Sequence, residues 1–557
     1  MFSILKRSWP WLAAVASGLL GVACFAPFDQ SWLCWIALTP LIAAVWFSGE
    51  NCRRRWLRNL LLGYLAGIAF FTGTFSWFGS LGALYQSFFL HGLSFLLSIY
   101  LGLYIAFWSW FIGLIRPKTF TASWRNLLVA FLAAAGWATH EWIRGWLFSG
   151  FGWNGLGVAL HQSWPLIQIS EFTGVAGVSF ALAFVNIIAV TTPVRLFAEA
   201  RTHRMRPHFD LTLTMIGMIG LFAFGLHRAQ NAPPMKPLRV AAVQASVPQL
   251  EKFDSQFRRD IFERFARLSE IALGANPPPD LLVWPESSMP DPARDQNSES
   301  FQFVKQLSAS SKTDLLLGSL EFENERDYNS ALLVSNGGER IQIYRKMHLV
   351  PFGEYIPLRH SFPLFAAVAN TWVPGDFTPG SDYTVFDLTN NDARVAPLIC
   401  FEDTVGDLAR RFVANGANLF VDITNDGWFL HSSGSRQHLA NAVFRCVENH
   451  RPMVRAANTG VTCFINQFGH VTQILQDDTG NTFTEGVLTG EVNVPLAAAS
   501  PSDGGQDRQL TFYTLHGELF AECCAVVTAL TIAAIFGRRW IGRSADDAKL
   551  NAASPRD

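Results

Sequence analysis

Charge is what this sequence has least of. Asp, Glu, Lys and Arg make up 16% of its 557 residues, well below the roughly 25% of an ordinary soluble domain. Half of the chain is hydrophobic, so the deficit points to a membrane. A formal net charge of −1 gives no overall pull toward nucleic acid, and no long Lys/Arg run is interleaved with aromatics, so nucleic-acid binding is not expected. Cysteine is sparse as well. Residues 24, 34, 52, 400, 446, 463, 523 and 524 contain no CxxC pair and have no His at metal-ligand spacing around them, which gives a zinc site no support. Only Cys400, Cys446 and Cys463 lie in the polar part of the chain, so a disulfide there uses two of them and leaves one free, and the redox compartment stays open. No internal repeat of fixed period is evident, which argues against the repeat-built transporter folds.

What is abundant is apolar runs of helix-spanning length, roughly 20 residues each. They fall near 11–27, 31–48, 58–80, 88–115, 126–148, 174–197 and 211–228, with an eighth near 518–537. Lys and Arg alternate between the gaps. Lys6 and Arg7, Arg53 to Arg55, Arg116, Lys118 and Arg125, Arg201, Arg204 and Arg206, and Arg538, Arg539 and Arg543 occupy every second gap, whereas "FDQ" (28–30) and "GSLGALYQ" (79–86) have no basic residue. The positive-inside rule then makes both ends cytoplasmic and turns the polar insert outward. A cleaved signal peptide is the other reading of the first run, but "CFAPFDQSW" is a poor cleavage site. The expected organisation is a membrane domain of seven transmembrane helices over 1–232, an outward domain over 237–500, a closing transmembrane helix over 515–540 and a cytoplasmic tail over 541–557. Within the fifth run, "HEWIRGW" carries His140, Glu141 and Arg144. Glu141 and Arg144 are three apart, so they share a helix face and are expected to pair, either as a structural ion pair or as a polar contact to a lipid headgroup.

From Leu238 to about Val494 short β-rich runs alternate with helical stretches. Strands are expected at 238–245, 280–286, 314–322, 331–335, 340–346, 394–402, 417–424, 453–458 and 462–469, and "NGGE" between the fourth and fifth is a hairpin signal. Several of these runs are almost wholly apolar, as expected where both sheet faces are covered. Helices near 256–274, 299–311, 405–414 and 436–450 supply the cover, giving an α/β sandwich.

Three polar residues stand at or just beyond strand ends: Glu286 in "WPES", Lys346 in "YRKMHLVPFGEY" and Cys400 in "VAPLICFEDT". Such positions hold a side chain rigidly while letting it reach a cleft. A free thiol is mostly protonated at neutral pH and needs a base or a cation to act as a nucleophile. Glu286 is suited to take the thiol proton, and Lys346 to stabilise thiolate and oxyanion together with a backbone N–H after the cysteine. Singly, each is as well explained as a core cysteine, a helix-start acid or a solvated lysine; the conjunction carries the weight.

"VWPES", "YNSALL", "YRKMHLVPFGEYIP", "FTPG", "LICFE" and "ITNDGWF" follow one another in this order. The Glu, Lys and Cys in these contexts resemble the nitrilase superfamily. With a seven-span preface and a closing span, essentially the whole chain is similar to the apolipoprotein N-acyltransferase family. That resemblance implies a polytopic membrane domain of about eight transmembrane helices and a nitrilase-like αββα sandwich on the periplasmic side of a bacterial inner membrane. It also implies transfer of a fatty acyl chain from a phospholipid to the amine of the S-diacylglyceryl cysteine of an apolipoprotein, with no metal or nucleotide. Cys400 would be the nucleophile, Glu286 the base and Lys346 the oxyanion-stabilising cation. Glu354 would orient Lys346 or shuttle protons, and Glu402 matches a further family position. Asn329, Asn425 and Trp428 are carried over as pocket residues. Two positions depart from the family: Phe401 replaces a common Tyr and is read as packing, and Phe253 stands where relatives often have Trp.

The stretch from Tyr355 to Pro379, with Phe362, Leu364, Phe365, Trp372 and Phe377, is unusually apolar for a loop and is expected to be a lid toward lipid or a satellite core. Two rivals stay open at this level. One is a membrane-tethered nitrilase-type amidase acting on a small amide or nitrile, with the same catalytic residues. The other is a transporter or structural protein whose outward domain only binds a partner.

Overall fold

The computed structural model describes residues 2–87, 91–203, 205–231, 234–252, 254–357, 359, 375–496 and 510–553. Up to Gln230 the chain is helical: α1 (Phe2–Ala23), α2 (Thr39–Phe47), α3 (Arg55–Thr74), α4 (Phe78–Leu84), α5 (Leu93–Leu114), α6 (Ser123–Trp146), α7 (Val175–Thr202) and α8 (Phe209–Gln230). Helices α5, α7 and α8, and Leu519–Ile541 near the C-terminus, are long and apolar enough to cross a membrane, and α3 with α4, bent by 48° at their break, makes a fifth. Length and composition among the described residues thus support several apolar helices rather than a count of eight. The expected run at 31–48 departs most: Ser31–Trp35 is a 3-10 turn, and only the nine-residue α2 follows. Asn186 of α7 repairs the break, accepting from the Leu38 amide at 2.9 Å and donating to the Cys34 carbonyl at 2.9 Å. Backbone groups freed inside a membrane helix need such a partner.

Glu141 and Arg144 form no ion pair. Glu141 Oε1 accepts instead from Trp137 Nε1 at 2.8 Å and the Leu156 amide at 2.7 Å, while Arg144 donates to the carbonyls of Phe151 at 3.0 Å and Trp153 at 2.7 Å. The loop after α6 offers these groups unsatisfied backbone, which is worth more to a buried charge than a neighbour on its own helix. The pair therefore shapes the Phe151–Leu156 loop.

Beyond residue 234 the periodicity changes to two. Strands β1 (Met235–Gln244), β2 (Leu281–Val283), β3 (Asp314–Glu323), β4 (Arg326–Ser335), β5 (Arg340–Arg345) and β12 (Gly486–Pro495) form one sheet in the order β12-β1-β2-β3-β4-β5. The second sheet, in the order β11-β10-β9-β8-β7-β6, contains β6 (Phe386–Asp387), β7 (Arg394–Ile399), β8 (Leu419–Thr424), β9 (Met453–Ala457), β10 (Cys463–Ile465) and β11 (Val471–Ile474). Alternate residues of β1 separate cleanly: Val240 and Ala242 join the cluster between the sheets, while Ala241 and Val243 pack outward against Ile261, Phe265 and Leu268 of α9 (Arg258–Leu273). Helix α10 (Glu299–Ser310) joins α9 on that face, and α11 (Gly406–Ala414) and α12 (Gly434–Asn449) cover the other sheet. The result is the αββα layering that buries both faces of each sheet. The expected "NGGE" hairpin joins β4 to β5, with Ser335 opposite Arg340. Strands β6, β11 and β12 were not expected. A final helix, α13 (Leu519–Ala553), returns to pack on α6.

Candidate active site

The backbone brings Glu286, Lys346 and Cys400 together at one end of the sandwich. Lys346 immediately follows β5 and Cys400 immediately follows β7. Cys400 has a φ of 54°, a left-handed conformation that a β-carbon disfavours and that recurs where a side chain is held out for chemistry. Glu286 lies three residues beyond β2. Its loop sits directly on β3 at Gly318, where a β-carbon would come within 2.5 Å of the Ser287 nitrogen and 2.6 Å of the Glu286 Cα. Only glycine permits that approach.

Asn329 on β4 links the two carboxylates. Its Nδ2 donates to Glu286 Oε1 at 2.7 Å and to Glu354 Oε1 at 2.9 Å. Lys346 Nζ donates to Glu354 Oε1 at 2.9 Å and lies 3.6 Å from Glu286 Oε1. Glu354 also accepts from the Val350 amide at 2.8 Å. Burial would lower the Lys346 pKa, but Glu354 and then Glu286 outweigh it and hold the lysine above its ordinary value. Burial first and then the Glu286 charge raise the Cys400 thiol well above the ordinary range, opposed by Lys346 and a hydrogen bond with Thr424. The resting site therefore holds a neutral Cys400 thiol beside a cationic Lys346.

Glu402 is fully buried and saturated with donors. Oε1 accepts from Tyr344 Oη at 2.7 Å and from the amides of Met347 at 2.7 Å and His348 at 3.0 Å, and Oε2 accepts from the Ile399 amide at 2.9 Å. Burial pushes its pKa up to about 7, against the pull of those donors and of Lys346. It ties the lysine-bearing loop to Ile399, the residue before Cys400, which fixes the distance between Lys346 and Cys400. His348 beside it is pushed down to about 4 by burial and Lys346 and is neutral at physiological pH.

Phe401 is buried and stacks on Trp153 at 6.2 Å, Phe151 at 6.0 Å and His348 at 5.6 Å, so the residue after Cys400 rests on the loop shaped by Glu141 and Arg144. The Asn425 carboxamide is fully engaged, accepting from Gly427 N and Asn458 Nδ2 and donating to Gln249 Oε1 at 2.6 Å. Trp428 is partly exposed and stacks with Tyr85 at 6.4 Å. Phe253, Phe362, Leu364, Phe365 and Trp372 lie outside the described residues. Of the expected lid, Phe377 is described, and its amide donates to the Glu354 carbonyl at 2.9 Å.

Sequence reasoning missed a charged cluster on the strands and helix next to Cys400. His438 of α12 lies 2.9 Å from Asp403 and 3.0 Å from Asp426, and Arg455 of β9 lies 3.0 Å from Asp422 and 3.1 Å from Asp426, all essentially inaccessible to solvent. Burial would lower His438, yet Asp403 and then the hydrogen bonds to Asp403 and Asp426 hold it at about 10. Burial and Asp403 raise Asp422 well above the carboxylate range. The signal was present: Asp422 in "LFVDIT" and Arg455 in "MVRAA" are lone charges inside wholly apolar strands, and a buried charge needs a partner.

A family model of the apolipoprotein N-acyltransferase N-terminal domain matches residues 17–188, and one of carbon-nitrogen hydrolase matches residues 239–501. A protein of Geobacter metallireducens named apolipoprotein N-acyltransferase is 34% identical over 544 residues, covering 95% of this chain and 96% of that one. The chain belongs to the apolipoprotein N-acyltransferase family. Relatives of the same name in Nitrosomonas europaea and Brucella suis are 31% and 29% identical, over 83% and 85% of this chain and 88% and 89% of theirs. Both halves of the family's architecture are therefore in this one chain, the helical part and the carbon-nitrogen hydrolase part.

Proposed function

We propose that this protein transfers a fatty acyl chain from a phospholipid to the N-terminal amine of the S-diacylglyceryl cysteine of apolipoproteins, by a ping-pong reaction through a thioester on Cys400. The observation that carries the reading is the Glu286, Asn329, Glu354 and Lys346 cluster, 2.7 to 3.6 Å between partners, at the strand end next to a half-buried cysteine in a family whose relatives bear that name. In the first half-reaction Glu286 takes the thiol proton as sulfur attacks the ester carbonyl. Lys346 and the amide after Cys400 stabilise the oxyanion. The lysophospholipid alkoxide then leaves with the proton held by Glu286. In the second, the lipoprotein amine attacks the thioester, loses its proton to Glu286, and the thiolate departs. Glu354 and Glu402 keep Lys346 in register, and Phe401 serves as packing. Trp428, partly exposed beside Tyr85, is assigned to the acyl pocket, and Asn425 to the loops around it.

Both substrates are lipids, and extracting an acyl chain into water costs about 0.8 kcal/mol per CH₂. A site held against the outer leaflet avoids that penalty. The topology proposed is eight crossings with both termini cytoplasmic, residues 237–500 periplasmic, and a C-terminal crossing within 515–540. Its support is the alternation of basic gaps, which holds only if Ser31–Phe47, broken as it is, crosses the membrane. Segment 355–379 is proposed as the lid.

Incubation with labelled phospholipid is expected to leave a hydroxylamine-sensitive label on Cys400, absent in Cys400→Ala, which discharges onto a diacylated lipopeptide as a hydroxylamine-resistant amide. No label, or release of ammonia from small amides in place of acyl transfer, overturns the reading.

A further inference from the structure

Lys252 is a buried cation that the reaction outlined above does not use. It lies in the loop following β1, which is pinned to the strand ends of the other sheet: Ser246 N donates to the Asn458 carbonyl at 2.7 Å, Val247 N to Asn458 Oδ1 at 3.2 Å, and Asn425 Nδ2 to Gln249 Oε1 at 2.6 Å. Its side chain is 3% exposed. Among the described residues its ammonium makes one hydrogen bond, to the Glu286 carbonyl at 2.7 Å. A lysine seldom gives up water for one carbonyl unless charge repays it.

The charge is found in the site. Glu286, Glu354 and Lys346 together carry −1 when ionised. Proton transfer from Cys400 to Glu286 leaves that total unchanged, so the thiolate would carry the one uncompensated negative charge of the cluster. Lys252 faces Glu286 and Cys400, and brings the sum to zero both before and after that transfer. We propose that Lys252 is a positioning residue of the acylation site: its hydrogen bond fixes the Glu286 loop, and its ammonium offsets the negative charge that moves onto Cys400 when the thiolate forms. The step is the breaking of the Cys400 S–H bond and the forming of an O–H bond on Glu286, with the electron pair left on sulfur.

Burial lowers Lys252 to about 8, against Glu286 and Cys400, which raise it. The other groups facing the thiol and its partners are Asp426, the Thr424 hydroxyl, Glu354 and Glu402. None of them replaces the lost cation when Lys252 deprotonates, so thiol reactivity should rise less steeply with pH above about 8 than a lone thiol's.

The inference rests on Cys400 being the nucleophile, and iodoacetamide alkylation of Cys400 in the detergent-solubilised full chain tests it independently of any lipid. The full chain is followed from pH 6 to 10, with mass spectrometry to assign the site and thermal unfolding recorded alongside. In Lys252→Met the alkylation profile should move up by about one pH unit, with roughly tenfold slower modification at pH 7.5. Lys252→Arg should restore most of the rate and remove the flattening above pH 8. A Met variant that unfolds like the wild type and alkylates with an unchanged profile overturns the proposal. So does equal impairment of the Met and Arg variants, because charge would then not be the property in use. A wild-type thioester that never forms on lipid would overturn the proposed function while leaving the alkylation result to stand or fall alone.

Discussion

Asn329 shows what one neutral side chain does among charges. It donates through a single nitrogen to two carboxylates, at 2.7 and 2.9 Å, and so keeps Glu286 and Glu354 on either side of Lys346. Hydrogen bonds to charged groups contribute roughly 1.5–3 kcal/mol. Asn329→Ala should therefore slow single-turnover thioester formation by about tenfold to a hundredfold without unfolding the protein. Asn329→Asp should be worse, since it sets a third carboxylate between two others. Glu402 gives a pH-dependent counterpart. Its pKa rises from an ordinary 4.5 to about 7, so between those values the folded protein keeps a proton that the unfolded chain has lost. Stability from this group is full below about pH 4.5 and is lost as pH rises through 7, by about 3 kcal/mol in all. Thermal unfolding measured from pH 5 to 8 should fall across that window, and Glu402→Gln should flatten the slope while lowering the acid-side melting temperature.

At the scale of the element, the β2–β3 contact decides where the base stands. The Glu286 loop rests on β3 at Gly318, through Gly318 N to the Pro285 carbonyl at 3.2 Å and Ser288 N to the Gly318 carbonyl at 2.9 Å. A methyl group at 2.5–2.6 Å from backbone atoms has no flexible side chain to displace, and overpacking of this kind costs about 1–3 kcal/mol. Gly318→Ala is expected to abolish most acylation while retaining the α/β circular dichroism spectrum. Gly220→Ala in α8, where nothing lies within 4 Å, should leave activity unchanged.

Elements also differ in how legible they were. The hairpin of β4 and β5, the interior strands β1, β2, β3, β7, β8, β9 and β10, and four covering helices announced themselves through local periodicity and turn chemistry. Strands β6, β11 and β12 did not. β6 is two residues long, β11 alternates weakly, and β12 "GVLTGEVNVP" has two glycines and an acid. Such edge strands exist because a neighbour supplies hydrogen bonds: all ten residues of β12 pair with β1. The broken run at 31–47 was invisible for a similar reason, since its repair comes from Asn186, about 150 residues away in sequence.

For the whole molecule, one side chain joins the helical part to the sandwich. Gln437 on α12 donates to the carbonyls of Ala26 at 2.8 Å and Thr74 at 3.1 Å, and accepts from Trp77 Nε1 and Trp153 Nε1 at 3.2 Å each and from Asn154 at 2.9 Å. Its neighbour His438 stacks on Trp153 at 5.1 Å, and Trp153 in turn stacks on Phe401. Gln437→Leu leaves several buried polar groups unpaired, each costing about 1–3 kcal/mol. It should lower the melting temperature and open the junction to limited proteolysis near residue 231. Arg436→Ala, which removes the exposed pair with Asp29 and an exposed 3.3 Å hydrogen bond to the Pro27 carbonyl, should change both far less.

By itself the sequence determined that lipid surrounds part of this chain, that a two-layered α/β unit is inserted near its end, and that a glutamate, a lysine and a cysteine sit at strand termini. Apolar run length, charge spacing and strand periodicity are local properties, readable within about 20 residues. Only the tertiary structure decided that Asn329 bridges two carboxylates, that Glu402 ties the Lys346 loop to Ile399, that Arg144 serves a loop instead of Glu141, and that Lys252 lies against the Glu286 carbonyl. Each of those depends on which distant groups share a space closed to water, where an unpaired charge or amide is too costly to remain unpartnered.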